Sequence, residues 1–335
     1  MKNKCCFIIP YFGKLPNYFQ LFLNSCRENK EFNWLVFTDD DTYFEYPLNV
    51  TKVSMQMSDF KIIISKKFDF SVKINNPHKL CDLKPAYGYI FEDYIKKYEF
   101  WGHCDVDLIF GRLNNFITDD LLNKYDKLFC LGHCILYKNS FENNRVFMKS
   151  INGEYWYKES FSTNRTTIFD ETYGGNKNVN TIYSYYNKNI LMEDWSMNSL
   201  IAPANFIKIT YDGKNNNYIT EKQINAVYVW DQGKILRYYF REKKFIIEEF
   251  MYMHFQARNM KIIGNINEEK KYKILGDGFY PLEVEEVTKK NFKKIRMKIY
   301  SFRYIKTHLK WKVNGIKKKT SSWKSKIFYF HILGV

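Results

Sequence analysis

The chain has 335 residues, of which 45% are hydrophobic and 26% are charged, and this composition excludes a disordered or collagen-like protein. Its 52 Lys and Arg against 36 Asp and Glu give a net charge of +16, which favours an anionic partner. No stretch approaches the roughly 18 consecutive apolar residues that a transmembrane helix requires.

The cysteines indicate free thiols. All seven lie within the first 134 residues, and an odd number in a chain of this size does not indicate a disulfide framework. They predict a reduced, cytosolic protein. Cys130, His133 and Cys134 lack a second pair of ligands at zinc spacing, so buried thiols in a strand are favoured over a metal site.

Apolar runs alternate with segments of helical periodicity in the first part of the chain. The predicted strands are Cys5–Pro10, Trp34–Thr38, Phe100–Cys104, Leu128–Leu131 and Ile135–Tyr137. The predicted helices are Asn17–Asn29, Ser54–Ser65 and Ala86–Lys97. This alternation predicts an α/β fold with a mostly parallel sheet that is flanked by helices on both faces.

The second half of the chain is predicted to be mixed and rich in β-strands. Helices are expected at Phe141–Ser150 and Val179–Tyr186, and strands at Phe206–Thr210, Ala226–Trp230, Ile235–Phe240, Phe245–Ile247 and Glu249–His254. The segment Trp230–Lys234 suits a hairpin turn. Because no Pro- or Ser-rich linker interrupts the chain, we expect one catalytic domain over residues 1–286, followed by a tail over residues 287–335.

Two aspartates follow the predicted strand Phe100–Cys104. In an extended backbone Asp105 and Asp107 point to the same face, beyond the carboxyl end of the strand, where open α/β sheets bind ligands. Carboxylate oxygens suit Mg²⁺ or Mn²⁺, which bridge diphosphates. The alternative is an ordinary turn at the end of a strand. Asp39 and Asp41 share the spacing, and there a turn is favoured.

Six segments carry a resemblance to a known family: Phe7–Gly13, Phe37–Asp40, Lys79–Gly88, His103–Gly111, Phe169–Gly175 and His254–Arg258. Over roughly residues 4–260 the chain resembles the nucleotide-sugar glycosyltransferases of the GT-A fold. More closely, it is similar to those that build bacterial capsule and cell-surface polysaccharides. The resemblance implies a GT-A (Rossmann-like) fold and a metal-dependent transfer of a sugar from a UDP-sugar.

The resemblance also implies roles for individual residues. It implies that Asp105, Asp107 and His254 hold Mn²⁺ or Mg²⁺. It implies donor contacts at Pro10, Tyr11, Phe12, Asp39, Lys79, Asp82, Lys84, Asp105 and Arg258. Structural alternatives stay open for several of these: solvated lysines at a helix end, a hydrogen-bonded histidine in a sheet, and aromatic side chains of the core.

A transfer that inverts the sugar's configuration needs a general base on the acceptor hydroxyl. Asp170 and Glu171 are the favoured candidates because Gly174 and Gly175, which follow them, allow a close approach of backbone to substrate. Asp194, in a Glu-Asp pair like that of many inverting GT-A enzymes, is the rival. Helix capping is the structural alternative for both, and a retaining enzyme would need no such base.

Residues 287–335 hold 15 Lys and Arg and no Asp or Glu, so nearly the whole excess charge lies in this tail. Apolar residues recur there at steps of three and four from Phe292 to Val313, which predicts a basic amphipathic helix. Such a helix suits an anionic membrane surface, and we expect contact through residues 289–335. The alternative is a stripe that packs on the domain. No nucleic-acid partner is expected.

The sequence therefore predicts a glycosyltransferase on the cytoplasmic face of the cell membrane, peripherally associated with it. The donor would be a UDP-sugar and the acceptor a lipid-linked oligosaccharide of capsule or surface polysaccharide synthesis. Two other classes stay open: a non-enzymatic adaptor that binds membrane or nucleic acid through its basic tail, and a metal-dependent phosphohydrolase that uses the same carboxylates.

Overall fold

The computed structural model describes residues 4–200, 205–256 and 258–296, together with residues 305, 306, 309 and 312. The strands are β1 (Cys5–Tyr11), β2 (Phe32–Thr38), β3 (Val50–Ser54), β4 (Phe100–Cys104), β5 (Leu108–Phe110), β6 (Lys127–Leu128), β7 (Cys134–Lys138), β8 (Ile190–Leu191), β9 (Ser196–Asn198), β10 (Ile209–Asp212), β11 (Asn217–Thr220), β12 (Ala226–Asp231), β13 (Lys234–Arg241), β14 (Lys244–Phe250), β15 (Tyr252–His254), β16 (Lys261–Ile262), β17 (Lys271–Leu275) and β18 (Gly278–Pro281). The α-helices are α1 (Phe19–Arg27), α2 (Met57–Lys67), α3 (Leu80–Leu83), α4 (Tyr87–Ile90), α5 (Glu92–Ile95), α6 (Asp119–Lys124), α7 (Trp156–Ser162), α8 (Val179–Tyr185) and α9 (Phe292–Ile295).

The main sheet has seven strands in the order β3-β2-β1-β4-β7-β6-β8. The first four are mutually parallel, whereas β7 runs antiparallel to both β4 and β6. The segment between β6 and β7, residues 129–133, is too short for the crossover that parallel strands need. The α/β prediction is confirmed, but the sheet is mixed beyond its first four strands.

Apolar side chains cover both faces of the main sheet. Along β1, Phe7 and Ile9 enter one core cluster while Cys6 and Ile8 enter another. Successive residues of a strand point to opposite faces, so a continuous apolar run is what a doubly covered strand requires. This burial explains why the N-terminal strands are visible in the sequence.

Three smaller sheets follow, as the mixed pattern of the second half predicted. Their strand orders are β14-β13-β12-β17-β18-β16, β5-β15-β9 and β10-β11. The predicted hairpin joins β12 to β13, which pair antiparallel around a two-residue turn. Gln232 and Gly233 both have positive φ, 46° and 86°, as a turn matched to the twist of the strands requires.

Several predicted elements are shorter, divided or of another type. The strand expected at Glu249–His254 is divided between β14 and β15, and the strand expected at Phe206–Thr210 begins only at Ile209. The helix expected at Ala86–Lys97 is divided into α4 and α5, and the helix expected at Phe141–Ser150 is a 3-10 helix, Asn143–Met148. The strand expected at Leu128–Leu131 ends at Leu128, because Phe129 has a φ of 71° and leaves the extended conformation.

The chain continues onto the six-stranded sheet beyond residue 286. Val287, Phe292 and Ile295 are buried there with Val227 and Val229 of β12. The predicted apolar stripe therefore begins as part of the core, and most of its later residues lie outside the described part of the chain. Among the residues that the structure describes, no helix has the length and apolarity needed to cross a bilayer.

Candidate metal centre

The connection between β4 and β5 carries both aspartates of the Asp-x-Asp segment. β4 ends at Cys104, and the backbone N–H of Asp105 donates to the carbonyl of His133 at 3.0 Å. On the other side, the N–H of Phe255 donates to the carbonyl of Asp107 at 2.9 Å. Both aspartates therefore lie in a connection at the carboxyl end of β4 that backbone hydrogen bonds hold in place, and they are not part of the strand itself.

Asp105, Asp107 and His254 form a cluster whose potential ligand atoms all lie within 4.8 Å of one another. His254 reaches the aspartates because β15 pairs with β5, with His254 opposite Leu108. Its Nε2 lies 3.4 Å from Asp107 Oδ1 and 3.8 Å from Asp105 Oδ2. Two carboxylates and one imidazole are a ligand set that can hold a divalent cation.

Neighbouring side chains orient the histidine. His254 Nδ1 lies 3.1 Å from Asn198 Oδ1, so donation of its proton there leaves Nε2 facing the carboxylates. Burial lowers the pKa of His254, but the charges of Asp107 and Asp105 outweigh burial and raise it above its ordinary value. A proton and a divalent cation would therefore compete for the same atom.

Lys84 neutralises the cluster from the side of the main sheet. Its Nζ lies 2.7 Å from Asp105 Oδ1, donates to the carbonyl of Gly132 at 2.8 Å, and lies 3.5 Å from Asp170 Oδ2. Burial lowers the pKa of this lysine, but Asp105 and the other anions raise it well above its ordinary range. Lys84 is thus a fixed positive charge between the carboxyl groups of Asp105 and Asp170.

The structure brings Asp170 and Glu171 to the same place. Asp170 is 3% exposed, and a Cβ at Gly132 would come too close to its Oδ2, so a larger residue there would force the carboxyl group to shift. Glu171 is partly exposed, and its Oε2 accepts a hydrogen bond from the Gly132 N–H at 2.9 Å. Burial raises the pKa of Asp170 to about 8 and also raises that of Glu171.

Asp194, the rival candidate base, has both of its carboxylate oxygens occupied by nearby groups. Oδ1 accepts from the N–H and hydroxyl of Ser196 at 3.0 and 2.6 Å, and Oδ2 accepts from the N–H of Tyr211 at 3.0 Å. The carboxylate thereby ties β9 to β10. This is a structural role at strand ends, not the helix cap that was the alternative.

Two of the residues expected to contact the donor are enclosed instead. Lys79 and Asp82 are both fully buried and pair with each other at 2.6 Å. They lie three residues apart, within one helical turn, so their side chains meet. Direct contact with a donor is therefore wrong for this pair, and of the three residues expected from this segment only Lys84 reaches the centre.

The loops after β1 and β2 lie beside each other. Asp39 Oδ1 accepts from the Gly13 N–H at 2.7 Å and so fixes the loop that begins with Phe12. Phe12 is buried against Phe60, which agrees with the alternative of a core aromatic. Pro10 is buried within β1, whereas Tyr11 is half-buried. Burial and the charge of Asp107 raise the pKa of Tyr11, whose hydroxyl donates to the carbonyl of Lys14 at 3.2 Å.

Arg258, also expected at the donor, is committed to the backbone. Its guanidinium donates to the carbonyls of Leu200 at 3.0 Å and Gly276 at 3.4 Å, and lies over the ring of Phe206 at 5.0 Å. Burial lowers its pKa to about 10. These contacts give Arg258 a role in holding together the segments that surround it.

Sequence reasoning did not assign His133 or Asn198 to the centre. The His133 ring lies 4.5 Å from that of His254, and its Nδ1 is 2.7 Å from the Tyr252 hydroxyl. His133 Nε2 is buried and has no hydrogen-bond partner among the described residues. A histidine two residues from a strand start is the only sequence signal for it, whereas Asn198 has none. The neighbouring Cys130 and Cys134 are buried free thiols, as predicted.

Comparison with known proteins gives a family without an assigned activity. No curated protein matches the chain. A family model described as "Family of unknown function (DUF6625)" matches residues 7–283, a range that includes Asp105, Asp107, His254, Lys84 and the Asp170–Glu171 pair. Because this range covers most of the 335 residues, the chain belongs to the DUF6625 family.

Proposed function

We propose that this protein is a metal-dependent glycosyltransferase of the GT-A type, which moves a sugar from a UDP-sugar to a saccharide acceptor. The observation that carries the proposal is the cluster of Asp105, Asp107 and His254 at the carboxyl end of β4, next to Lys84. β4 is the last of four parallel strands, and open sheets of this kind bind nucleotides at that edge.

The residues of the cluster fit a divalent cation. Asp105, Asp107 and His254 would hold it, and the cation would supply stabilisation of the negative charge that develops on the leaving diphosphate. Lys84 holds Asp105 in place from the opposite side, through an atom that His254 does not approach. The partly exposed Asp105 and Asp107 remain accessible to a ligand.

Glu171 is the better placed of the two candidate bases. Asp170 is enclosed, and its burial raises the pKa of its carboxyl group, which favours the protonated form. Glu171 is partly exposed, and of its two oxygens Oε2 accepts from Gly132. An acceptor hydroxyl would reach Glu171 first, so we assign the base to Glu171 and a neutral supporting role to Asp170.

Substitution of Asp107 tests the metal assignment. Asp107→Asn keeps the size of the side chain but removes a charged ligand, so we expect sugar transfer to fall by at least about a hundredfold. In a thermal-shift assay, UDP with Mn²⁺ should stabilise the wild type and not the variant, since a ligand that binds only the folded state raises apparent stability. Asp41→Asn, an exposed aspartate in the other Asp-x-Asp segment, is the matched control.

Three results would count against the proposal. Full activity of Asp107→Asn would exclude the metal role of Asp107. Release of the nucleotide at a rate that does not depend on any saccharide acceptor would identify a metal-dependent phosphohydrolase instead. A wild-type protein that neither binds nor cleaves any nucleotide-sugar, yet binds membranes, would favour a non-enzymatic adaptor.

The basic tail supports a site of action at the cytoplasmic face of a membrane, with a lipid-linked oligosaccharide as acceptor. The described part of this tail includes α9, which packs on the six-stranded sheet. A truncation after Arg296 therefore keeps Phe292 and Ile295 in the core and removes most of the basic residues. We expect the full chain to sediment with anionic vesicles and the truncated chain to stay in solution. Equal binding of the two would exclude the tail as the anchor.

A further inference from the structure

The buried Lys79–Asp82 pair directs nearly all of its remaining hydrogen bonds to one distant stretch of chain. Lys79 Nζ donates to the carbonyls of Ser160 at 2.7 Å and Arg165 at 2.6 Å. Asp82 accepts from the N–H groups of Thr167, at 2.9 Å to Oδ2, and Phe169, at 3.1 Å to Oδ1. We call residues 165–171, which end in Asp170 and Glu171, the acidic segment. The four partners lie within this segment or shortly before it.

The acidic segment contains a residue in an unfavourable backbone conformation. Ile168 has a φ of 58°, in the left-handed region that β-branched residues avoid. The two N–H groups that Asp82 binds belong to Thr167 and Phe169, one on each side of Ile168. A conformation of this kind persists only where the surrounding contacts impose it. Asp82 supplies such contacts on both sides of the strained residue.

The turn at Ile168 determines where the next residues go. Phe169 enters the core beside Phe161, with ring centroids 5.9 Å apart. The following residue, Asp170, reaches to within 3.5 Å of Lys84 Nζ, and Glu171 receives the N–H of Gly132. A relaxed backbone at Ile168 would change the direction of the chain directly before both acids.

We propose that Lys79 and Asp82 form a clamp that holds the strained turn at Ile168 and thereby positions Asp170 and Glu171 against Lys84 and Gly132. Both residues of the clamp are positioning residues, since neither reaches the centre. A pair kept only for stability would be an inefficient choice, because buried ion pairs are often no more stabilising than apolar side chains of similar volume. The inference rests on the proposed function for the role of Glu171, and on the contacts alone for the geometry.

Two variants open the clamp. Asp82→Asn removes the charge and one acceptor oxygen, and the double variant Lys79→Met/Asp82→Asn also removes the unpaired cation that the single substitution leaves. For the folded fraction of both variants, we expect kcat for sugar transfer to fall by about tenfold to a hundredfold, because displaced catalytic groups lose alignment. The KM for the UDP-sugar and the affinity for Mn²⁺ alone should stay at the wild-type values, since Asp105, Asp107 and His254 are not displaced.

A substitution at the turn gives a readout that loss of stability would not produce. Glycine adopts positive φ without strain, so Ile168→Gly should restore part of the lost kcat in the Asp82→Asn background. Thr166→Gly is the matched control, because Thr166 does not have a positive φ and its replacement relieves no strain. If both glycine variants restore activity equally, or neither does, the turn at Ile168 is not what the clamp holds.

A structural measurement separates failure of the clamp from failure of the proposed function. Hydrogen–deuterium exchange of the acidic segment should be faster in Asp82→Asn than in the wild type, while exchange in β4 stays unchanged. This result needs no substrate, and it supports the clamp even if the wild type transfers no sugar. Unchanged exchange in residues 165–171, or unchanged kcat in an active enzyme whose clamp is open, would overturn the inference.

Discussion

The six residues Lys79–Lys84 begin and end with a lysine that pairs with an aspartate, Lys79 with Asp82 and Lys84 with Asp105. The two pairs have different surroundings. Their N–O distances are nearly equal, 2.6 Å for Lys79–Asp82 and 2.7 Å for Lys84–Asp105. The side chains of the first pair are 1% and 0% exposed, whereas those of the second are 10% and 30% exposed. The first pair is closed to any ligand, and the second has its carboxylate open towards His254.

The two pairs differ in hydrogen-bond saturation, and we propose that this difference separates a positioning pair from a pair that belongs to a site. Asp82 uses both oxygens on backbone N–H groups and on Lys79. Asp105 uses Oδ1 on Lys84 and presents Oδ2 to His254 at 3.8 Å. A cation needs a carboxylate oxygen that points, as in Asp105, towards a histidine and towards a second carboxylate. A carboxylate whose oxygens are all hydrogen-bonded, as in Asp82, can only hold the groups around it in place.

The largest effect that we predict comes from removing each lysine in turn. Lys79→Met should lower the free energy of unfolding by about 3–5 kcal/mol, because it leaves the buried Asp82 carboxylate without its cation. Lys84→Met should lower it by less, because Asp105 is partly exposed to solvent. Added Mn²⁺ should recover part of this loss in Lys84→Met, since a cation at Asp105 replaces the missing positive charge. It should recover none in Lys79→Met.

Urea unfolding of both variants with and without Mn²⁺ measures this contrast. The wild type is the control for the general effect of the ion on stability. Recovery of Lys79→Met by Mn²⁺ would show that the first pair is open to the ion, and equal failure of both variants to respond would remove Asp105 from the metal centre. Either outcome would end the distinction between the two pairs.

A smaller effect is expected from Gly132, whose carbonyl binds Lys84 and whose N–H binds Glu171. In Gly132→Ala the new Cβ would collide with Asp170 Oδ2, so Asp170 must move away from Lys84. We expect a loss of about 1–3 kcal/mol in the free energy of unfolding, typical of overpacking, together with reduced transfer. Calorimetry and the transfer assay check this. A variant with wild-type stability would show that the contact between Gly132 and Asp170 is loose.

The sequence predicts one part of this arrangement much better than the other. The strands of the N-terminal half are continuous apolar runs because both faces of the sheet are covered, and the acids of the centre stand out because they follow such runs. The antiparallel course of β7 depends on how a short connection folds, which periodicity does not encode. His254 was found only through a resemblance.

The two lysine–aspartate pairs show why the rest could not be predicted. Lys79, Asp82 and Lys84 are charged residues that lie close together in the sequence, and the resemblance assigns all three to the donor. Which of them is enclosed depends on residues 160–169, which lie about 80 positions later in the chain. Saturation of hydrogen bonds is a property of the folded chain, and no local pattern records it.

A third buried lysine, Lys127, has no carboxylate partner among the described residues and sharpens the comparison. Lys127 Nζ donates to Asn180 Oδ1 at 2.6 Å and to the carbonyl of Phe129, and both acceptors are neutral. Burial lowers the pKa of Lys127 from 10.5 to about 7, whereas the pKa of Lys84 beside Asp105 is raised. The carboxylate partner thus decides whether a buried lysine keeps its charge.

The pH dependence of stability tests this contrast. Because the pKa of Lys127 is lower in the folded state than in the unfolded state, the unfolded chain binds more protons between about pH 7 and pH 10.5. The contribution of Lys127 to the free energy of unfolding therefore rises with pH in this window, by at most about 1.4 kcal/mol per pH unit. Lys127→Met should lose that slope, and the exposed Lys138→Met should reproduce the wild-type curve.

The difference between wild type and Lys127→Met, measured by urea unfolding from pH 6 to pH 9, isolates the lysine. Both proteins contain the same seven cysteines, whose buried thiols have raised pKa values and would otherwise bend the curve at high pH. Below about pH 7 both states of Lys127 are protonated, so the difference should become constant there. A difference that stays constant up to pH 9 would mean that Lys127 remains charged without a carboxylate, and hydrogen bonds to neutral oxygens would then suffice to keep a lysine charged inside this protein.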